Sequence, residues 1–166
     1  MRDDERTSPV LRVLDKQPLN FWHLGLVAMA LPNARVIHCT RDARDNGLSI
    51  LAENFTPKQR WATDPDDVAH YRCGYLRLMN YWREATGLRI LDVAYEDTVA
   101  DLEGQARHLL GFLDLPFEPD VLAFHERAAP VQTPSRWQVR RPLYASSVGR
   151  WRAYEGNLGD FEAAEA

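Results

Sequence analysis

The stretch ARVIHCTRDARDNGLSI, residues 34–50, predicts the fold of this chain more directly than any other part of the sequence. Its first residues form an apolar, β-branched run typical of a strand, and Asp42 is a suitable N-cap for a helix over about 43–53. Arg41 therefore stands where the strand ends, and Ser49 follows eight positions later on the helix. Two interpretations are open: an anion held between these side chains, or an ordinary strand-to-helix turn whose charged residues face solvent.

Strands and helices alternate along the rest of the chain. We expect strands at 10–15 and 88–95, a buried helix at 19–31 that includes His23, a loop at 57–65, a helix capped by Asp101 and a short helix at 118–128. A long helix after the loop carries an apolar face that we assign to the core: Val68, Tyr71, Tyr75, Leu78, Met79 and Trp82. Strands joined by helical crossovers indicate an α/β fold with a parallel sheet and helices on both faces.

The composition is typical of one globular domain, which we place at residues 1–160, followed by a frayed acidic tail at 161–166. Of the 166 residues 45% are hydrophobic and 27% are charged, and the net charge of −4 argues against a general nucleic-acid binder. Two cysteines form no disulfide framework, and Cys39 is expected to be a buried small hydrophobe. We see no signal peptide and no apolar run that could span a bilayer, so a cytoplasmic protein without a membrane partner is expected.

A binding site is expected where the parallel strands end, because open α/β sheets bind ligands at their carboxyl edge. Arg41, Tyr95 and Lys16 each stand at the end of an expected strand. Arginines and aromatic residues also interleave over 136–152, which suits a ligand with a base and a phosphate, or single-stranded nucleic acid. The alternative is purely structural, with Trp151 in the core and the arginines solvated.

Several ordered motifs resemble the bacterial sulfotransferases related to protein-tyrosine sulfotransferases. They are DKQP at 15–18, TRDARDNGLS at 40–49, YED at 95–97 and TPSRWQVRRPLYASSVGRW at 133–151. The resemblance extends from about Val10 to about Leu158. It implies a three-layer α/β/α parallel sheet of the P-loop type. It also implies 3′-phosphoadenosine 5′-phosphosulfate as the sulfuryl donor, a hydroxyl acceptor such as protein tyrosine, and no metal.

The same resemblance assigns roles to individual residues. Arg41 and Ser49 match the pair that holds the 3′-phosphate of the nucleotide, while Lys16 and Ser135 match catalytic residues near the bridging oxygen. The remaining residues expected to contact the nucleotide are Tyr95, Gln138, Val139, Arg140, Arg141, Tyr144 and Arg150.

Two departures from the family pattern affect catalysis. Glu53 stands where the tyrosyl-protein branch has a further phosphate-binding arginine, and no first strand with a phosphate loop is found before Val10. The usual general base is also missing, and we interpret the histidines as structural. We therefore expect the C-terminal part of a sulfotransferase domain, with a non-catalytic nucleotide-binding remnant or partner subunit as the alternative.

Overall fold

The computed structural model describes residues 12–53, 59–126 and 143–156. Over these residues the sheet consists of two parallel strands, β1 (Arg35–Thr40) and β2 (Arg89–Ala94). The strands pair along their whole length, so both end at the same edge of the sheet. Arg41 and Tyr95 are the residues that directly follow them. The expectation that these two side chains share the carboxyl edge is confirmed.

Helices connect and flank the strands. The α-helices are α1 (Leu24–Ala30), α2 (Ala43–Ala52), α3 (Pro65–Ala85), α4 (Tyr95–Ala100) and α5 (Leu102–Phe112). Short 3₁₀ helices lie at Asn20–His23, Arg60–Thr63, Pro119–Val121, Phe124–Glu126 and Arg150–Tyr154. None of the described helices is long and apolar enough to cross a membrane.

Aspartate side chains define where three of the helices begin. Asp42 accepts hydrogen bonds from the first-turn backbone N–H groups of α2, and Asp64 does the same for α3, where Pro65 is the first helical residue. Asp101 accepts from the N–H of Gly104 in α5. An N-cap carboxylate satisfies donors that have no partner inside the helix. The predicted caps at Asp42 and Asp101 are therefore confirmed.

Helices pack against both faces of the sheet. On one face, Leu24 of α1 and Met79 of α3 form a buried cluster with Leu88, and Val36 and Ile90 of the strands pack against it. On the other face, the ring of Phe112 at the end of α5 lies under the guanidinium groups of two arginines, one from each strand: Arg35 and Arg89. Because successive strand residues face opposite sides, positions 36 and 35 belong to different layers. The mixed α/β class is confirmed, and the full three-layer P-loop type stays a prediction.

His38 occupies a hydrogen-bonded network between the sheet and α3. Its Nδ1 lies 2.6 Å from Asp92 Oδ1 on the paired strand, and its Nε2 contacts the hydroxyl of Tyr75. Burial raises the pKa of the Tyr75 phenol. Partial burial alone would raise the pKa of Asp92, but hydrogen bonds from His38 and Arg83 outweigh it and hold that pKa below its usual value. These contacts agree with the structural role expected for His38.

Three expectations about the N-terminal half are wrong. Residues 12–15 form no strand, and Val13 and Leu14 are 89% and 83% exposed. A strand needs a neighbouring strand to satisfy its backbone, and β1 pairs only with β2 within the described ranges. His23 is exposed at the end of a 3₁₀ helix and is not part of a buried helix. Cys39 is also exposed, since α5 contacts that face of the sheet near Arg35, at the opposite end of the strand.

Two further elements differ from prediction in the second half. The strand expected at 88–95 ends at Ala94, and Tyr95 begins the short helix α4, which periodicity alone did not indicate. The short helix expected at 118–128 forms two separate 3₁₀ turns within its described part.

Candidate functional site

Arg41 is the cation at the carboxyl edge of the sheet. Its guanidinium carbon lies 5.0 Å from the centroid of the Tyr95 ring, and its Nη2 donates a hydrogen bond of 2.7 Å to the carbonyl of Ser147. Its Nε is buried and has no hydrogen-bond partner in the described part of the chain. No carboxylate of those residues forms an ion pair with it either. A buried donor without a partner costs about 1–3 kcal/mol.

The first turn of α2 is already occupied by protein carboxylates. Asp42 Oδ1 accepts from the N–H groups of Arg44 and Asp45, at 2.9 and 3.0 Å. The N–H of Asp42 itself donates to Glu96 Oε1 at 3.0 Å, which ties the two strand ends together. These backbone N–H groups are therefore not free for an anion. An anion at this edge would therefore have to be held by side-chain cations such as Arg41.

Asp42 is held in its ionised form. Its partial burial raises the pKa, but the hydrogen bonds from the backbone of Asp45 and from Arg44, together with the charge of Arg44, outweigh this. The net result is a pKa below the usual value of an aspartate. The Asp42 carboxylate therefore remains a helix cap at neutral pH.

Asp45 is an anchor that sequence reasoning missed. Its side chain is 1% exposed, and its two oxygens accept backbone hydrogen bonds from Gly149 at 2.5 Å and Trp151 at 2.8 Å. Both donors lie more than 100 positions along the chain. Local sequence showed only an acidic residue in the first turn of a helix. The one signal in the sequence was the glycine at position 149. The structure gives the reason for it, because its φ of 69° is a left-handed conformation that favours glycine.

Residues 143–151, which we call the covering segment, pass over the strand ends. The Tyr95 hydroxyl donates to the carbonyl of Tyr144 at 3.5 Å, and Arg41 holds Ser147 as described above. Trp151 is buried in a second core cluster with Leu48 of α2 and Val68 of α3. The guanidinium carbon of Arg44 lies 3.5 Å from the centroid of its ring. The structural role considered for Trp151 is thus confirmed, and it fixes the covering segment on α2.

The other predicted site residues are less closely joined to Arg41. Lys16 lies in an exposed segment without regular structure, and Ser49 is exposed on α2 without a hydrogen bond to Arg41 among the described residues. Tyr144 contributes its carbonyl group as described, and Arg150 is exposed at the start of a 3₁₀ helix. The remaining predicted residues lie outside the described ranges: Ser135, Gln138, Val139, Arg140 and Arg141. In the described part of the chain, no group of His, Cys, Asp and Glu side chains is placed to hold a metal ion.

Open α/β sheets bind ligands at the carboxyl ends of their strands, which is where Arg41 and Tyr95 stand. Comparison with known proteins identifies the family of this chain. The sulfotransferase family model matches residues 3–119, and the chain belongs to the sulfotransferase family. The resemblance noted from the motifs is therefore confirmed.

Two relatives illustrate the match. The chain is 35% identical over 150 residues to an "Uncharacterized protein" of Aquifex aeolicus (strain VF5). This alignment covers 89% of this chain and 20% of the Aquifex protein. It is 26% identical over 161 residues to a "Protein-tyrosine sulfotransferase" of Drosophila melanogaster. This alignment covers 86% of this chain and 30% of the Drosophila protein. The chain thus spans less than a third of the length of either relative.

Proposed function

We propose that this chain carries the nucleotide-binding edge of a sulfotransferase that uses 3′-phosphoadenosine 5′-phosphosulfate. In this proposal the enzyme transfers the sulfuryl group to a hydroxyl acceptor such as a protein tyrosine. The observation that carries it is the Arg41 guanidinium, which stands at the strand ends against the Tyr95 ring and has no carboxylate partner among the described residues. Family membership supports the reaction class.

Arg41 is suited to the 3′-phosphate because of what already surrounds it. A guanidinium has five N–H donors in one plane. The carbonyl of Ser147 accepts from the Nη2 group of Arg41. The Tyr95 ring lies against the cation and limits its orientation. A fixed planar donor can bind two phosphate oxygens at once, which a lysine ammonium cannot do.

The family resemblance assigns the remaining residues to roles in the chemical step. The acceptor oxygen forms a bond to sulfur while the bond from sulfur to the bridging oxygen breaks, and the nucleotide leaves with the electron pair. Lys16 and Ser135 would stabilise the charge that develops on the bridging oxygen by placed hydrogen bonds. The proton of the acceptor hydroxyl passes to a base that the family pattern does not locate here. Ser49, Tyr144 and Arg150 would complete the binding surface, with Gln138, Val139, Arg140 and Arg141.

A calorimetric comparison of two nucleotides tests the binding part of the proposal. The wild type should bind adenosine 3′,5′-bisphosphate more tightly than adenosine 5′-monophosphate, because only the bisphosphate carries the group assigned to Arg41. Arg41→Ala should remove most of this difference, at about 1.5–3 kcal/mol for a lost charged hydrogen bond. Arg107→Ala is the matched control, since Arg107 pairs with Glu103 on α5. An Arg41→Ala protein that keeps the full preference would rule out the assignment.

A further inference from the structure

The buried carboxylate of Asp45 is placed to control a neighbouring cation that it does not touch. The N–H groups that it accepts belong to Gly149 and Trp151, the residues on either side of Arg150. Each carboxylate oxygen receives one of them, so the backbone on both sides of Arg150 is held by a single side chain. The left-handed φ of Gly149 turns the chain at this point, and the N–H of Arg152 closes the turn on the carbonyl of Gly149.

Helix capping does not explain why this carboxylate is buried. Asp42 already accepts the first-turn N–H groups of α2, including that of Asp45 itself. Burial of a charge is costly unless the charge receives strong hydrogen bonds. Among the described residues, the Asp45 carboxylate receives them only from the covering segment. The two acidic residues of this turn therefore have different tasks: Asp42 caps the start of the helix, and Asp45 docks residues 149–151 on it.

We infer that Asp45 is a positioning residue for nucleotide binding, acting through Arg150. Asp45 fixes the turn at Gly149 that presents Arg150. Arg41 fixes the covering segment two residues before Gly149, at the carbonyl of Ser147. The backbone of residues 147–151 is thereby fixed at one point by Arg41 and at two points by Asp45. This inference rests on the proposed function, because it requires that Arg150 contributes to binding of the bisphosphate.

A double-mutant cycle tests the inference. Asp45→Asn keeps the shape of the side chain but replaces one acceptor oxygen with an N–H₂ group that faces a backbone donor. Arg150→Gln removes the cation itself. Each change should lower the affinity for adenosine 3′,5′-bisphosphate by about tenfold, the size of one charged hydrogen bond. The double variant should lose no more than either single variant, because both changes remove the same contact.

Two further variants separate positioning from general stability. Gly149→Ala perturbs the same turn without altering the buried charge, since an alanine is strained at the left-handed φ of 69°. It should reproduce the affinity loss of Asp45→Asn, and it decides the question if Asp45→Asn does not fold. Arg152→Gln, which removes the neighbouring arginine in the same 3₁₀ helix, should keep the wild-type affinity.

The outcomes distinguish this inference from the proposed function. A wild type that binds the bisphosphate and the monophosphate equally would reject the proposed function and the inference together. A wild type that prefers the bisphosphate, with additive losses for Asp45→Asn and Arg150→Gln, would reject the inference alone. If Gly149→Ala binds like the wild type, the turn does not position Arg150 and the inference is likewise overturned.

Discussion

The guanidinium of Arg41 lies over the ring of Tyr95, with 5.0 Å between the guanidinium carbon and the ring centroid. These are the first residues after two paired parallel strands, so the register of the sheet brings them together. The contact leaves the edge with one oriented cation whose direction depends on an aromatic face. If the nucleotide binds at this edge as proposed, Tyr95 should support it through its ring, since in the described part of the chain its hydroxyl makes only the long 3.5 Å bond to Tyr144.

The first prediction separates these two parts of Tyr95. Tyr95→Phe keeps the ring and should leave the affinity for adenosine 3′,5′-bisphosphate close to that of the wild type. Tyr95→Leu removes the aromatic face and should weaken binding by about 0.5–1 kcal/mol, the usual strength of an exposed cation–π contact. Isothermal titration calorimetry of the three proteins provides the comparison. Equal losses in both variants would show that the hydroxyl, and not the ring, supports Arg41.

The second prediction concerns the Asp42 cap and its dependence on pH. Asp42→Ala should lower the free energy of unfolding by about 1 kcal/mol, because the first-turn N–H groups of α2 lose their acceptor. Asp42→Asn retains an acceptor oxygen and should cost less. Urea unfolding at neutral pH, monitored by circular dichroism, measures both. A loss in Asp42→Ala no larger than in Asp42→Asn would contradict the assignment of the cap.

The sign of the pH effect follows from the direction of the pKa shift. The pKa of Asp42 is lower in the folded protein than its ordinary value of 3.8, so the folded state binds this proton less readily than the unfolded state. The stabilisation is present above about pH 3.8 and is lost as the pH falls through the lower, folded value. Asp42→Asn should therefore reduce the loss of stability below pH 4 relative to the wild type. Parallel acid-unfolding curves would argue against it.

The third prediction concerns the covering segment. If the nucleotide binds between Arg41 and residues 143–151, hydrogen exchange in that segment should slow on binding, as is common when a loop closes over a ligand. Exchange at the end of α5 serves as the internal reference, because Phe112 packs on Arg35 and Arg89, at the opposite end of the strands from the proposed edge. Identical exchange of the covering segment with and without saturating adenosine 3′,5′-bisphosphate would disprove its involvement.

Local chemistry explains which parts of this structure could be predicted. The strand, arginine and capped helix over 34–52 depend on neighbouring residues, and the structure shows them where they were expected. The strand at 10–15 was not found in its described part, because a strand depends on a partner that its own sequence does not supply. The anchoring role of Asp45 was missed for a similar reason, since its partners are distant in sequence. Sequence periodicity predicts single helices and strands, whereas contacts between them can be identified only from the folded structure.

The last prediction concerns catalysis by these 166 residues alone. Sulfuryl transfer requires the 5′-phosphosulfate to be fixed in line with the acceptor, a task that backbone N–H groups of a phosphate loop usually perform. No such loop is recognisable in the sequence, and the N–H groups of Asp42, Arg44 and Asp45 are occupied by carboxylates. Lys16 lies in an exposed segment that no regular element supports.

A missing general base alone lowers a rate by a factor of about 10² to 10⁴. We therefore predict that the chain binds the nucleotide but transfers sulfate to peptide tyrosine at least about 100-fold more slowly than the Drosophila relative assayed beside it. A labelled-sulfate assay measures the transfer, and calorimetry on the same sample verifies that the nucleotide is bound. Turnover comparable to that of the relative would show that these residues already contain a working base and a donor site, which would then have to lie outside the contacts described above.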